Sequence, residues 1–178
     1  STNSVVAYLN EDGSVVSSYV HYDGYETGVG MMLLEHYNTD KCARDLASTL
    51  GYASSLSETV AESHADRVHT DEPETFESME EFELYLMENS HLEFGYLWTG
   101  GKWMVASWTT TVEGTGPYAE YNSTWNGFSW LVTSFVRSGR KTVERFRDLA
   151  RDDNREGRTE YDEFADELEV TVDKWHRY

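Results

Sequence analysis

The sequence predicts an α+β fold, an antiparallel sheet built from two β-hairpins and covered by four or five helices. Two pairs of apolar-rich segments are each joined by a short turn carrying glycine, Asn10-Glu11-Asp12-Gly13-Ser14 and Gly100-Gly101. Such turns reverse the chain because their residues reach positive φ at low cost. Other segments repeat their apolar residues every three or four positions, the spacing of one helix face. The chain has 178 residues, 39% apolar and 14% aromatic, which suffices for one domain with a buried core.

Residues 5–9 and 15–20 read as the strands of the first hairpin. Gly28 to Tyr37 reads as a short helix with Met31, Leu33, Leu34 and Tyr37 apolar. Thr39 caps a second helix through Leu50, with Cys42, Leu46 and Leu50 on one stripe and Gly51 ending it. On that stripe Cys42 reads as a buried structural thiol. Residues 52–75 are polar, with a helix near 58–66. Ser78-Met79-Glu80-Glu81 is a capping box that opens a helix to about Asn89, with Met79, Phe82, Tyr85 and Leu86 inward.

Residues 92–98 and 102–108 form the second hairpin, whose register puts Phe94, Tyr96, Trp98, Trp103 and Val105 on one face. That face reads as core beneath a helix rather than as a platform for bases. Residues 110–124, with Gly114, Gly116 and Pro117, read as a loop with a short strand at 118–121. A long helix is predicted over 125–153, carrying Phe128, Leu131, Val132, Phe135 and Val136 on one stripe and a kink or break at Gly139. Thr159 caps a final helix with Tyr161, Phe164, Ala165 and Leu168 inward; Val170-Thr171-Val172 either extends it or forms a strand. No internal repeat is present. Residues 1–178 read as a single domain, with one candidate boundary at 57–77.

The charge is the dominant feature: 33 acidic against 14 basic residues, a formal −19. It is unevenly placed. Residues 1–100 hold 19 acids and three bases. From Asp71 to Glu93 run nine acids with no Lys or Arg: Asp71, Glu72, Glu74, Glu77, Glu80, Glu81, Glu83, Glu88 and Glu93. A second such run, from Glu160 to Asp173, includes Glu160, Asp162, Glu163, Asp166 and Glu167. Like charges this dense oppose compaction, so they call for a use or a screening medium. Direct nucleic-acid binding is not expected, because it needs net positive charge to release counterions. No apolar stretch is long enough to span a bilayer, and no export signal is visible. Cys42 has no partner for a disulfide.

Arg140, Arg147, Arg151, Arg155 and Arg158 suggest a basic helical stripe between the acidic runs. Arg151 can pair with Asp148, and Arg155 with Asp152. The stripe can also dock the acidic surface of a neighbouring copy, giving a homo-oligomer.

The densest motif is His21-Tyr22-Asp23-Gly24-Tyr25-Glu26-Thr27-Gly28-Val29-Gly30, followed shortly by Glu35 and His36. It passes from a strand through a glycine-rich turn into a helix, a geometry that suits an anion. It is not a Walker loop, because Met31-Met32 stand where a lysine and a hydroxyl are needed. Glycines for tight turns, tied by His21 and Asp23, are the simpler reading. His21, Asp23, Glu35 and His36 are candidates for metal ligands or for an acid–base pair, but neither the Glu35-His36 adjacency nor the His64 to His69 spacing suits a helix-borne metal site. No metal and no cofactor is expected.

Tyr19 to Gly30, together with Leu33-Leu34-Glu35-His36-Tyr37-Asn38-Thr39 and the later Ser54-Ser55-Leu56, resembles the N-terminal signature of small tailed-virus proteins of unassigned function. The resemblance covers about residues 5–56. It departs at Tyr22, where tryptophan is commoner, and at Met31, where a lysine often follows the glycines. It implies a viral origin and an accessory role, and supplies no activity.

The expectation is a virus-encoded, non-enzymatic protein of the host cytoplasm that binds a basic protein partner through its carboxylates. Its sharpest form is a nucleic-acid mimic that inhibits a host factor. One alternative is a salt-adapted component of a virus of halophilic hosts, placed in the virion; four Lys against ten Arg fit it. The other is a small enzyme using His21 and Asp23 beside the glycine turn.

Overall fold

The computed structural model describes residues 1–64, 71–153 and 159–178. In chain order the elements are β1 (Asn3–Leu9), β2 (Val15–Val20), a π-helical turn (Glu26–Gly30), α1 (Met31–His36), α2 (Asp40–Thr49), β3 (Tyr52–Ala53) and α3 (Val60–Ser63). Then follow β4 (Glu74–Phe76), α4 (Met79–Glu88), β5 (Leu92–Thr99), β6 (Lys102–Glu113), β7 (Glu120–Trp130), α5 (Leu131–Asp152) and α6 (Glu160–His176).

The fold is α+β. The strands form one sheet in the order β3-β2-β1-β5-β6-β7, and β4 also pairs with β2. Most pairings are antiparallel. The β1–β2 hairpin is joined to the β5–β6–β7 meander by parallel pairing of β1 with β5, and β3 also runs parallel to β2. The sheet is therefore mixed and larger than two hairpins. Within the candidate boundary at 57–77, β4 pairs antiparallel with β2.

Strand alternation gives the sheet two apolar faces. On one, Val6, Tyr8, Tyr96, Trp98, Trp103 and Val105 are buried beneath α1, α2, α5 and α6. Phe94, Tyr96, Trp98, Trp103 and Val105 thus share the core face as their register predicts. On the other face, Val5, Ala7, Val15, Leu92 and Leu97 lie beneath Phe82 and Leu86 of α4. Gly95 makes room for α4, since a Cβ there would overlap the Leu86 side chain. The caps fall as predicted: Thr39, Ser78 and Thr159 accept from Cys42, Glu81 and Asp162 N–H, and Thr59 caps the short α3.

Three expectations are corrected. Residues 110–124 are not mainly loop: β6 and β7 pair from Met104↔Trp130 out to Glu113↔Glu120, and the glycines serve only the tip. The run of hydroxyl, β-branched and aromatic residues there favours a strand. The helix predicted from 125 begins at Leu131, because Trp125 and Phe128 belong to β7 and pack on the α4 side. Gly139 does not break α5, which runs on from Leu131 to Asp152. It lets α6 approach, since a Cβ there would overlap Val172. Residues 170–172 continue α6. Part of the helix expected over 58–66, His69, Arg155 with its pairing to Asp152, and Arg158 lie outside the described residues. No described helix is long and apolar enough to cross a membrane.

Candidate functional site

The glycine-rich motif is built as a structural joint. Gly24 N–H donates to the Thr2 carbonyl (2.9 Å), and a Cβ on Gly24 would stand 2.8 Å from that same oxygen. The Gly24 carbonyl accepts the hydroxyl of Tyr96 (2.7 Å), whose proton is held far more tightly than usual by burial and by the nearby Glu26 charge. Asp23 has φ of 58°, its carbonyl accepts from Val29 N–H (2.8 Å), and its carboxylate accepts from Tyr25 (2.9 Å). A Cβ on Gly28 would overlap the Asp23 carbonyl oxygen. Gly30 is buried, with Leu131 and the Tyr96 hydroxyl in tight contact range. Every glycine of the turn thus answers to a close approach.

The titratable residues of the motif are held by different partners. His21 Nδ1 shares a hydrogen bond with the Tyr19 hydroxyl (2.9 Å), and its ring meets Tyr22 edge-on. His36 lies 3.9 Å from Glu58. Glu35 accepts from Lys174 Nζ (2.7 Å) and Trp175 Nε1 (3.0 Å), anchoring the end of α6 to α1. Burial alone raises the Glu35 pKa, but the bonds from Lys174 and Trp175 outweigh it and hold the carboxyl below its usual 4.5. Stability from a depressed carboxyl is complete above the unfolded pKa and is lost as pH falls through the folded one. Urea unfolding of Glu35→Gln against wild type is therefore expected to show a stability gap at neutral pH that narrows below about pH 4.5.

The acidic runs occupy opposite faces of the sheet, because α4 packs on one and α6 on the other. In the second run, Asp166 and Glu169 take both arms of the Arg147 guanidinium (3.1 and 2.5 Å), and Asp173 takes Arg140 (2.7 Å). Asp162 completes the Thr159 capping box. Glu160, Glu163 and Glu167 remain exposed. Arg151 pairs with Asp148 within α5 as the spacing predicts.

The first run is different. Asp71, Glu72, Glu74 and Glu77 lie exposed along β4 and its flanks, and Glu80, Glu81 and Glu88 are exposed on α4, with Glu83 half-buried. Among the described residues, none of the glutamates from Glu72 to Glu93 makes an ion pair. Sequence reasoning missed what lies between them. Leu84 is 52% exposed and Met87 42% exposed, on the outward side of the same helix. Their positions off the Phe82–Leu86 stripe already carried that signal. The outer face of α4 is thus an apolar centre fringed by carboxylates.

A second surface lies on the α5 side. A groove of about 320 Å³ between the β6–β7 hairpin and α5 is lined by Glu26, Ser107, Asn126, Ser138, Arg137 and Lys141. An adjoining cavity of about 520 Å³ holds Tyr25, Thr142, Arg145 and Phe164. Ser138 donates to Glu26; burial raises the Glu26 pKa, and the bond from Ser138 and the charges of Arg137 and Lys141 only partly offset it.

No protein-family model, curated protein or solved structure matches this chain.

Proposed function

We propose that the chain is a virus-encoded, non-enzymatic accessory protein that docks a basic protein partner in the host cytoplasm through the outer face of α4. One observation carries this reading: unpaired carboxylates on that face surround exposed Leu84 and Met87. Apolar side chains supply contact energy once water is excluded, and the surrounding charge steers a cationic partner and fixes its register. The ridge does not continue into α6, where Asp166, Glu169 and Asp173 are shared with Arg147 and Arg140 on the far side of the sheet. That arrangement favours docking through one face over mimicry of an extended polynucleotide. The bonded His21 and Asp23 support a role in shaping the turn rather than in catalysis.

The experiment is fluorescence anisotropy with a labelled amphipathic helical peptide bearing Arg and Leu on one face. Wild type is expected to bind with affinity that falls steeply as KCl rises. Glu80→Lys, Glu81→Lys and Glu88→Lys together are expected to weaken binding about 100-fold, since like charges brought together cost several kcal/mol. Reversal of Glu160, Glu163 and Glu167 is expected to change it little. Equal losses from the two sets would show that net charge, and not the α4 face, attracts the peptide.

A second reading, a salt-adapted particle component, draws on a separate observation. Exposed carboxylates without ion pairs among the described residues also occur far from α4 in sequence, at Glu11, Glu113, Glu120 and Glu160.

A further inference from the structure

The outer half of the β6–β7 hairpin is bare on both faces. Residues 109–118 and 120–124 are all exposed, with Val112 at 54%, Tyr121 at 71% and Tyr118 at 86%. A two-stranded ribbon with no cover is marginal in water. From the Trp108↔Trp125 pair to the tip it runs five residues per strand, a reach of roughly 17 Å at the usual strand rise.

Its two faces differ. Ser107 and Thr109 line the α5 groove, so strand alternation puts Thr111 and Glu113 on the α5 side. The register Thr111↔Asn122 and Glu113↔Glu120 puts their partners there too. Glu113 and Glu120 thus oppose each other directly, and like charges in a cross-strand pair destabilise it. A cation placed against the pair would remove the penalty.

The same side of the molecule holds cations outside ion pairs, two of which, Arg137 and Lys141, act on the half-buried Glu26 carboxyl that lines the groove with them. Arg137, Lys141 and Arg145 follow one another at four-residue spacing on α5, each about 6 Å further along the helix. Among the described residues none of the three makes an ion pair, in a chain where acids outnumber bases by more than two to one. These are not the arginines of the stripe that stood out in the sequence. Arg140, Arg147 and Arg151 are already paired within the chain.

We propose that two copies of this chain associate about a two-fold axis, the β6–β7 arm of each lying across the α5 groove of the other with Glu113 and Glu120 against Arg137 and Lys141. Arm face and groove lie on the same side of the sheet, so two copies set face to face satisfy both contacts at once. That reciprocity is what a two-fold interface requires. The hydroxyls and amide lining the groove match the Thr and Asn side chains of the arm. The α4 face lies on the opposite side of the sheet and stays free for its own partner.

Sedimentation equilibrium of the intact chain at low KCl tests this, with three variants at exposed positions. Wild type is expected to dimerise, and both Glu113→Lys/Glu120→Lys and Arg137→Glu/Lys141→Glu to be monomers, with dimer Kd raised about 100-fold. Mixing those two variants is expected to restore a dimer, because each arm then meets a groove of opposite charge. A chain carrying all four reversals is expected to dimerise as wild type does. A monomeric wild type, or a dimer indifferent to both reversals, overturns the proposal, as does a mixture that stays monomeric.

Discussion

Phe82→Ala is expected to destabilise the fold by about 3–5 kcal/mol, the usual cost of removing a fully buried aromatic ring and leaving its cavity. Phe82 is fully buried, and its ring packs 5.3 Å from Phe76 of β4 and 6.2 Å from Phe128 of β7. It therefore ties α4 to two strands well separated in the sheet. With Leu86 it is one of the two α4 side chains buried in that core cluster. Domains of this size have total stabilities of about 5–15 kcal/mol, so one substitution removes a large share. Urea unfolding followed by far-UV circular dichroism measures it. Leu84→Ala, two residues on and facing out, is the control and is expected to fall within about 0.5 kcal/mol of wild type. If Leu84 and Phe82 prove equally costly to truncate, the outward face of α4 has been misassigned.

Gly28→Ala is expected to cost about 3 kcal/mol, the upper end of what overpacking usually costs. The added methyl would overlap the Asp23 carbonyl oxygen, a backbone atom that also accepts from Val29. Neither can retreat without opening the turn, and Asp23 already holds a φ of 58°. The turn carries the Tyr96–Gly24 bond, so its distortion spreads to the centre of the sheet. Gly100→Ala separates crowding from backbone freedom. Its φ is 59°, yet nothing stands within 4 Å of its Cβ, so it pays only for positive φ. A Gly28 variant as stable as wild type would return the glycines to the role of an open anion cradle.

Much of the framework can be read from local signals. Thr39, Ser78 and Thr159 mark helix starts because a side-chain oxygen there satisfies a free N–H, a relation contained within four residues. The strands flanking Gly100-Gly101 follow from alternation and a two-residue turn. What escaped was set by distant partners. Nothing near Asn3–Leu9 or Leu92–Thr99 announces that they pair in parallel. Residues 110–124 carry turn glycines and few large apolar residues, so a ribbon with no core face looks like loop. Trp125 and Phe128 fit a helical period with Leu131, but they also fit the far face of β7.

The site divides the same way. The acidic runs are visible by counting, while their neutralisation is not. Asp166, Glu169 and Asp173 meet Arg147 and Arg140 only because Gly139 lets α6 lie close along α5. His21, Asp23, Glu35 and His36 sit near one another in sequence, but their bonds lead to Tyr19, Tyr25, Lys174 and Glu58.

The most direct measurement is the melting temperature of the intact chain across KCl, from about 0.1 M, where charges act over roughly 10 Å, to molar salt, where they act over about 3 Å. If the α4 carboxylates are kept for a partner, they oppose folding when that partner is absent. The chain is then expected to be folded at low KCl and to gain only modestly from added salt. The Glu80, Glu81 and Glu88 reversal is expected to melt above wild type at low salt, with the difference closing as KCl rises. A chain that folds only in molar KCl, and that gains nothing from the reversal, would contradict a partner-directed ridge and identify the acidity as adaptation to salt.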